Sequence, residues 1–399
     1  MSDTIGRTVK AVEPTPTGWI LATNATGATA PTPAVFTSTD GGEWNRADLP
    51  LAGDSTWVYD VVYGPAGYVA IGFAGQDCEP GCRNGDGVVW VSDDAVTWEL
   101  VEPVELSGPN KVRPRQVRVI DGRYVIVGQD QQDGIDWVGK VWSSSDGLTW
   151  ELNAVLDDPE WPIQGIKGFD EWDGGYVITS SRAPCSVPFF KGSFGWVQGF
   201  VGGVEAKAWV SPDGFEWTEM DLAGLGLIEL FAEDVCTTTN YFTAETNSAA
   251  DGAMQAVGGR LFWQGGIVPA MELDAATDTW IPSTAVISPY VTGAAQGTAT
   301  QMYLLDDAQG FIAAAVTDRF GDEVWVPVAR SQDLVTWQDW DGKTTVLPAM
   351  ADQYVSFGGT FVVSNGTELL AVYQGRTSRY GEEGPIMALI SGTAPIPNP

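Results

Sequence analysis

The stretch Trp142-Ser-Ser-Ser-Asp-Gly-Leu-Thr-Trp150 decides the fold, because the chain repeats it. The other copies are Phe36-Thr-Ser-Thr-Asp-Gly-Gly-Glu-Trp44, Trp90-Val-Ser-Asp-Asp-Ala-Val-Thr-Trp98, Trp209-Val-Ser-Pro-Asp-Gly-Phe-Glu-Trp217 and Ala329-Arg-Ser-Gln-Asp-Leu-Val-Thr-Trp337. All five keep Ser-x-Asp-x-x-x-Trp. A weaker copy, Leu273-Asp-Ala-Ala-Thr-Asp-Thr-Trp280, falls between the last two. A motif recurring every 50 to 70 residues or so marks a fold built from one repeated unit. Each copy reads as a hairpin. An apolar strand runs into Ser-x-Asp, the carboxylates of Asp40, Asp94, Asp146, Asp213 and Asp333 accept turn N–H groups, and the following residue supplies positive φ. The returning strand starts with Trp, whose flat ring can cover the hairpin and pack on a neighbouring sheet.

Upstream of most hairpins lies a second strand with its own signature: Gly18-Trp-Ile-Leu21, Gly67-Tyr-Val-Ala-Ile71, Arg123-Tyr-Val-Ile-Val127, Gly175-Tyr-Val-Ile178 and Gly310-Phe-Ile-Ala313, with Glu368-Leu-Leu-Ala-Val372 as a last relative. A short strand precedes each, as at Asp60–Tyr63 and Gln116–Ile120. The unit is therefore four strands, a-b-c-d, with the motif on the c–d turn. Between Gly224 and Gly266 the second strand has two candidates, Asn240–Glu245 and the kelch-like Gly258–Gly266.

The motif resembles the Asp-box, or BNR, repeat of sialidase-like β-propellers, with the Asp-to-Trp gap one residue shorter. The resemblance implies an all-β fold: a β-propeller, with seven four-stranded blades as the main count and six or eight as alternatives. The last unit lacks a Trp strand, so the N-terminus around Asp3–Arg7 is expected to pair with Pro385–Ser391 and close the ring. One domain then spans residues 1–393, with 394–399 as an extended tail. Asp boxes are structural and serve unrelated activities, so they carry no function. Sialidases hold the substrate carboxylate with an arginine cluster that begins in an Arg-Ile-Pro signature. That signature is absent here, and no catalytic residue is carried over.

Composition narrows the chemistry. The 399 residues include 20 Lys+Arg, 52 Asp+Glu and no His, a formal charge of −32. Without His there is no Ser-His-Asp or Cys-His nucleophile and no His-liganded metal. Carboxylate-based chemistry, chiefly glycoside hydrolysis, stays open. The charge argues against nucleic acid as a partner, and no apolar run reaches the length of a membrane span. The start, Met-Ser-Asp-Thr-Ile-Gly-Arg7, has no signal-like apolar core. Four cysteines, Cys78, Cys82, Cys185 and Cys236, fit two disulfides better than zinc and point to an oxidising space. The expected setting is extracellular, at a cell surface, or in a virion.

In propellers the b–c loops share a face opposite the Asp boxes, and here they vary widely. Loops on a rigid scaffold are where binding concentrates. The longest, 182–205, carries Phe189, Phe190, Lys191, Phe194 and Trp196, a patch for sugar stacking or protein contact or else a small core pinning the loop. Asp130, Asp133 and Asp136 offer oxygen ligands for Ca²⁺, without the EF-hand spacing; a solvated acidic loop is the plainer reading, and no other cofactor is implied. Arg319, Arg376, Arg379 and Tyr380 could take an anionic ligand or pair with Asp318, Asp322, Glu382 and Glu383. These features predict a binding module for a glycan or a protein, working through the b–c face, with a sialidase-like hydrolase as the alternative. Oligomeric state is not legible.

Overall fold

The computed structural model describes residues 7–25, 32–75, 85–107, 111–132, 136–156, 165–182, 190–192, 195–197, 205–222, 253–264, 271–274, 276–277, 279–285, 299–307, 310–317, 328–339, 343–346, 355–364, 368–377 and 383–391. Apart from a 3-10 turn at Val104–Leu106, regular structure among the described residues is entirely β. The first sheet holds β1 (Arg7–Thr15), β2 (Gly18–Ala25), β3 (Pro33–Ser38) and β4 (Asn45–Asp48). The second holds β5 (Ser55–Gly64), β6 (Gly67–Gly75), β7 (Gly85–Ser92) and β8 (Glu99–Val101). The third holds β9 (Val112–Ile120), β10 (Arg123–Gln132), β11 (Asp136–Ser144) and β12 (Glu151–Leu156).

The fourth sheet uses β13 (Gly165–Trp172) and β14 (Gly175–Arg182). A separate hairpin, β15 (Phe190–Gly192) with β16 (Gly195–Val197), follows before β17 (Glu205–Ser211) and β18 (Thr218–Glu219) complete that sheet. The fifth holds β19 (Ala253–Val257), β20 (Arg260–Gln264), β21 (Met271–Asp274) and β22 (Thr279–Pro282). The sixth holds β23 (Ala299–Asp307), β24 (Gly310–Thr317), β25 (Val328–Ser331) and β26 (Gln338–Asp339). In the seventh, β27 (Lys343–Val346) pairs with β30 (Glu383–Ser391), which pairs with β29 (Glu368–Thr377), which pairs with β28 (Val355–Ser364). Seven four-stranded antiparallel sheets are thus formed among the described residues. The kelch-like stretch supplies β20, the second strand of the fifth sheet, while Asn240–Glu245 lies outside the described residues.

The hairpins form as the motif predicts. Asp146 Oδ1 accepts N–H groups from Leu148 and Thr149, both at 2.8 Å, and the Ser144 hydroxyl at 2.9 Å. The Trp150 indole N–H returns to the Gly147 carbonyl at 3.1 Å. Asp40, Asp94, Asp213 and Asp333 repeat the carboxylate contacts. The weak copy differs: Asp274 accepts the Ala276 N–H and the Thr277 hydroxyl. Its Trp follows Asp274 by six residues instead of four, and the Trp280 indole N–H has no acceptor among the described residues. The glycine that opens the second strand also has a cause. Gly67 sits at φ 104°, and a Cβ there would lie 2.6 Å from the carbonyl oxygen of the motif Ser92.

Two compact units divide the chain, residues 1–126, 142–151 and 285–399 in one and 127–141 with 152–284 in the other. In the first unit the core lies between sheets. Ile20, Val35, Val61, Ala70 and Trp90 join the first sheet to the second, and Ile71, Val117, Tyr124 and Trp142 join the second to the third. Val12, Leu21 and Phe36 meet Leu370 and Val372 between the first and the seventh. In the second unit Trp172, Val177, Leu261 and Trp263 fill the space between the fourth and fifth sheets. Each such large apolar side chain stabilises the fold by about 2 kcal/mol.

The expected N-terminal closure is not seen among the described residues, which begin at Arg7. β30 has β29 on one side and β27 on the other, with Lys343 opposite Ser391 and Val346 opposite Ala388. The fourth strand of the last sheet therefore comes from the segment just ahead of that sheet, and β27 lies along Ala388–Ser391 of β30. Arg7 instead begins β1, opposite Ala25. It is buried, donating from Nε to the Thr23 hydroxyl at 2.8 Å and from Nη2 to the Thr32 carbonyl at 2.6 Å, with its guanidinium 5.9 Å from the Phe36 ring. Among the described residues the first and last sheets meet through side chains and share no strand.

Candidate functional site on the first strands

The first strand of each sheet reads as apolar alternation, yet three of them carry a charge inward. Glu13 on β1, Asp60 on β5 and Arg118 on β9 converge. Arg118 Nη1 lies 3.5 Å from Glu13 Oε1 and 3.4 Å from Asp60 Oδ2. Three consecutive sheets thus bring their first strands to one point. Asp60 is further committed to backbone, accepting the Val61 N–H on Oδ1 and the Val117 N–H on Oδ2, each at 2.9 Å. Burial pushes the Glu13 carboxyl up to about 7, against the opposing pull of Arg118 and with the Asp60 charge adding to the rise. Burial also raises Asp60, with Arg118 and the two N–H groups pulling the other way. Glu13 still keeps 25% of its side-chain surface while Asp60 keeps 7%.

A second set lies three residues earlier on β9, roughly 10 Å along a strand rising about 3.3 Å per residue. The Arg115 guanidinium stacks 5.5 Å from the ring of Tyr59, the residue that bulges out of register between Val58 and Asp60. Arg113 stacks 5.2 Å from Phe73. Burial lowers the Arg115 pKa, and Arg113 nearby lowers it further, partly offset by Tyr59. Arg115 Nε and Gln116 Oε1 are buried without a hydrogen-bond partner among the described residues, and Arg115 has no carboxylate partner there either. Leaving a guanidinium partly desolvated and unpaired costs stability. In a chain with 52 acidic residues that cost calls for a reason.

The registers fix which edge this set faces. Ser55 at the start of β5 lies opposite Gly75 at the end of β6, so the first half of a first strand borders the b–c loop. The Asp-box turn is at the other end, where Tyr68 lies opposite Ser92. Tyr59, Arg113 and Arg115 fall in the half toward the b–c loops. Glu13, Asp60 and Arg118 lie further toward the Asp-box edge.

The residues singled out from sequence are distributed as follows. The long fourth-unit loop contains the β15–β16 hairpin, with Lys191 opposite Trp196 and Phe190 opposite Val197. Phe189 and Phe194 lie outside the described residues. Arg376 is a strand residue on β29, opposite Ser356 and Glu383, and Arg319, Arg379 and Tyr380 lie outside the described residues, as do the four cysteines. Asp130 is on β10 and its carboxylate is taken by Lys140 Nζ at 2.6 Å. Asp136 begins β11, and Asp133 is outside the described residues. Among the described residues no group of three acidic or Cys side chains is placed to hold a metal ion.

None of Glu13, Asp60, Arg113, Arg115 and Arg118 is assigned a role from sequence. The available signal was a charge inside an apolar first strand: Glu13 in Val-Lys-Ala-Val-Glu-Pro, and Asp60 in Trp-Val-Tyr-Asp-Val-Val.

No protein-family model matches the chain, and no curated protein matches it. Solved structures do. The polysaccharide lyase Uly1 aligns with a TM-score of 0.53 at 11% identity, covering 96% of this chain and 89% of that one. The Trypanosoma rangeli sialidase bound to the inhibitor DANA aligns with a TM-score of 0.50 at 11% identity, covering 96% of this chain and 55% of that one. This chain therefore spans about half the length of that sialidase. These are likenesses of fold. With the repeated four-stranded sheets, they place the chain in the β-propeller fold class.

Proposed function

We propose that this chain is a seven-bladed propeller that binds a glycan at its first-strand and b–c loop edge and does not cleave it. The observation that carries this reading is a division of labour on β1, β5 and β9. The inward carboxyl groups of Glu13 and Asp60 are engaged by Arg118, and Asp60 also by two backbone N–H groups. Arg115, beside the Tyr59 ring, keeps an Nε without a partner among the described residues. Aromatic faces and polar forks bind sugars, whereas retaining and inverting hydrolysis both need two free carboxyl groups flanking the scissile bond. The sialidase and lyase fold likenesses support a carbohydrate ligand. The β15–β16 hairpin, with Lys191 opposite Trp196, is a further contact surface in this reading, and an extracellular, cell-surface or virion setting suits such ligands.

A glycoside hydrolase is the second reading, favoured by one observation. A carboxyl raised to about 7, as at Glu13, has the property a general acid needs. A glycan array probed with the intact chain, beside a reducing-end assay on every glycan retained, tests both. Retention without cleavage supports binding. Cleavage, or retention of no glycan with capture of a protein ligand instead, overturns the proposal.

A further inference from the structure

We infer that the Asp-box edge of the second and third sheets is a protein-docking surface, and that its partner presents apolar side chains flanked by Lys or Arg. This is the edge opposite the proposed glycan contact, and the inference does not rest on that reading. It starts from the position two residues after each box Asp. Four of the five copies place an apolar residue there: Val96, Leu148, Phe215 and Val335. The turn uses the backbone N–H of that residue, which the carboxylate accepts, and Gly42 serves equally in the first copy. Turn tips favour small and polar residues, yet Val96, Leu148 and Val335 are 63%, 49% and 47% exposed. Tyr63 and Val119, beside the a–b turns at the same edge, are exposed as well. Single exposed apolar residues are ordinary, whereas a contiguous set marks a contact surface. Four of these are joined through their neighbours. The Tyr63 ring lies 4.9 Å from that of Tyr68, which lies 6.4 Å from that of Trp98, two residues past Val96. A Cβ on Gly64 would lie 2.3 Å from the Tyr124 ring and 2.8 Å from Val119, and one on Gly147, next to Leu148, 3.9 Å from the same ring. Charge selects the partner. Asp93, Asp94, Asp121 and Asp146 stand exposed among these residues. Within 63–67, 92–98, 119–123 and 144–151 the sole Lys or Arg is Arg123, paired with Glu151 at 3.2 Å. A second copy would bring the same carboxylates against these, and like charges across an interface repel. A basic surface with an apolar centre complements both features.

The test titrates the full chain at fixed ionic strength with three synthetic peptides of equal length, one alternating Lys and Leu, one alternating Lys and Ser, and one alternating Glu and Leu. The Lys-Leu peptide is expected to bind about tenfold or more tightly than either of the others. Val96→Ser combined with Leu148→Ser is expected to bring its affinity down to that of the Lys-Ser peptide. Leu51→Ser, at an exposed apolar residue between β4 and β5 and so at the opposite edge, is expected to leave the preference intact. The substituted side chains are exposed, so melting temperatures are expected to stay unchanged and to show that each variant folds. Bound Lys-Leu peptide is expected to slow hydrogen exchange at residues 63–67, 92–98 and 144–150. Equal binding of the Lys-Leu and Lys-Ser peptides, a preference that survives the double substitution, or no binding at all overturns the docking surface. Sedimentation that shows a wild-type dimer and a monomeric double variant overturns the basic partner and gives the surface to a second copy. Glycan retention is expected to be equal in wild type and double variant, and its loss in the double variant would overturn the separation of the two edges.

Discussion

The side-chain amide of Asn24 closes a two-hydrogen-bond pair with the backbone of Val58 in the next sheet. Nδ2 donates to the Val58 carbonyl at 2.8 Å and Oδ1 accepts the Val58 N–H at 2.9 Å. Val58 sits just before the β5 bulge, where the ladder is interrupted and backbone groups lose partners. Gln129 in the third sheet makes the accepting half of this contact to the fourth, taking the N–H of Ile166 at 3.3 Å, again just before a bulge. Both amides lie six residues after the first residue of their second strand. A buried amide at this position thus docks one sheet onto the next.

Asn24→Leu is therefore expected to cost about 2–4 kcal/mol, since it leaves a buried N–H and a buried C=O of Val58 unsatisfied. Asn24→Asp is expected to be no better than Leu, because a carboxylate can accept the N–H but faces the carbonyl with a second lone pair. Urea midpoints compare the three proteins. A loss under about 0.5 kcal/mol for both variants would contradict the assigned docking role.

Asp146→Ala is expected to destabilise by about 1 kcal/mol, since two turn N–H groups and the Ser144 hydroxyl lose their acceptor in a largely solvent-facing turn, and to leave saccharide affinity unchanged. Hydrogen bonds from Thr149 and Leu148 hold the Asp146 carboxyl below its usual range. Its contribution is present above the normal carboxylate pKa and is lost as pH falls through the folded-state value. The Ala variant is therefore expected to converge on wild type in strong acid. An affinity loss with an unchanged melting temperature would remove the purely structural role.

The turn residue after each box Asp tests local backbone strain. Gly147 has φ 74° and Gly214 φ 82°, but Ala95 and Leu334 occupy the same position at φ 59° and 60°. Left-handed backbone costs an L-residue roughly 1 kcal/mol, so Ala95→Gly is expected to be neutral to slightly stabilising. Gly147→Ala is expected to destabilise by more than 1 kcal/mol, adding that strain to a Cβ 3.0 Å from Val69. Thermal melts of the two variants should move in different directions, and parallel shifts would show that φ does not decide this position.

Much of this was legible because it is local. A Ser-x-Asp turn, a Trp four residues on and a Gly opening the second strand act within one hairpin, and the five full copies fold alike. The sixth sheet could be read from Ser331, Asp333 and Trp337 even though its turn residue is Leu334. The seventh was misread because Lys343-Thr-Thr-Val346 precedes its sheet in the chain and carries no motif, so nothing local tied it to β30. The Glu13, Asp60 and Arg118 meeting point was illegible for a related reason. Its members lie in three different repeats, and their pairing follows from how first strands converge.

Glu13 makes stability depend on pH in the opposite sense to the Asp boxes. Its carboxyl is raised from about 4.5 unfolded to about 7 folded. Between those values the folded chain holds a proton that the unfolded chain has released, so this contribution is complete below pH 4.5 and is lost as pH rises through 7. The swing is of order 3 kcal/mol. Glu13→Gln is expected to flatten that part of the profile and to exceed wild type in stability at pH 8. Urea midpoints at pH 5 and pH 8 measure it, and an unchanged difference in the variant would mean Glu13 is ionised throughout.

The central claim, a glycan-binding propeller without cleavage, is tested most directly by mass spectrometry of a retained oligosaccharide incubated with the protein. Aliquots are taken over days, with wild type and Glu13→Gln in parallel. The account predicts an oligosaccharide of unchanged mass with both proteins, and binding by both. Shortened products that appear with wild type and not with Glu13→Gln would contradict it and make Glu13 the acid of a hydrolase.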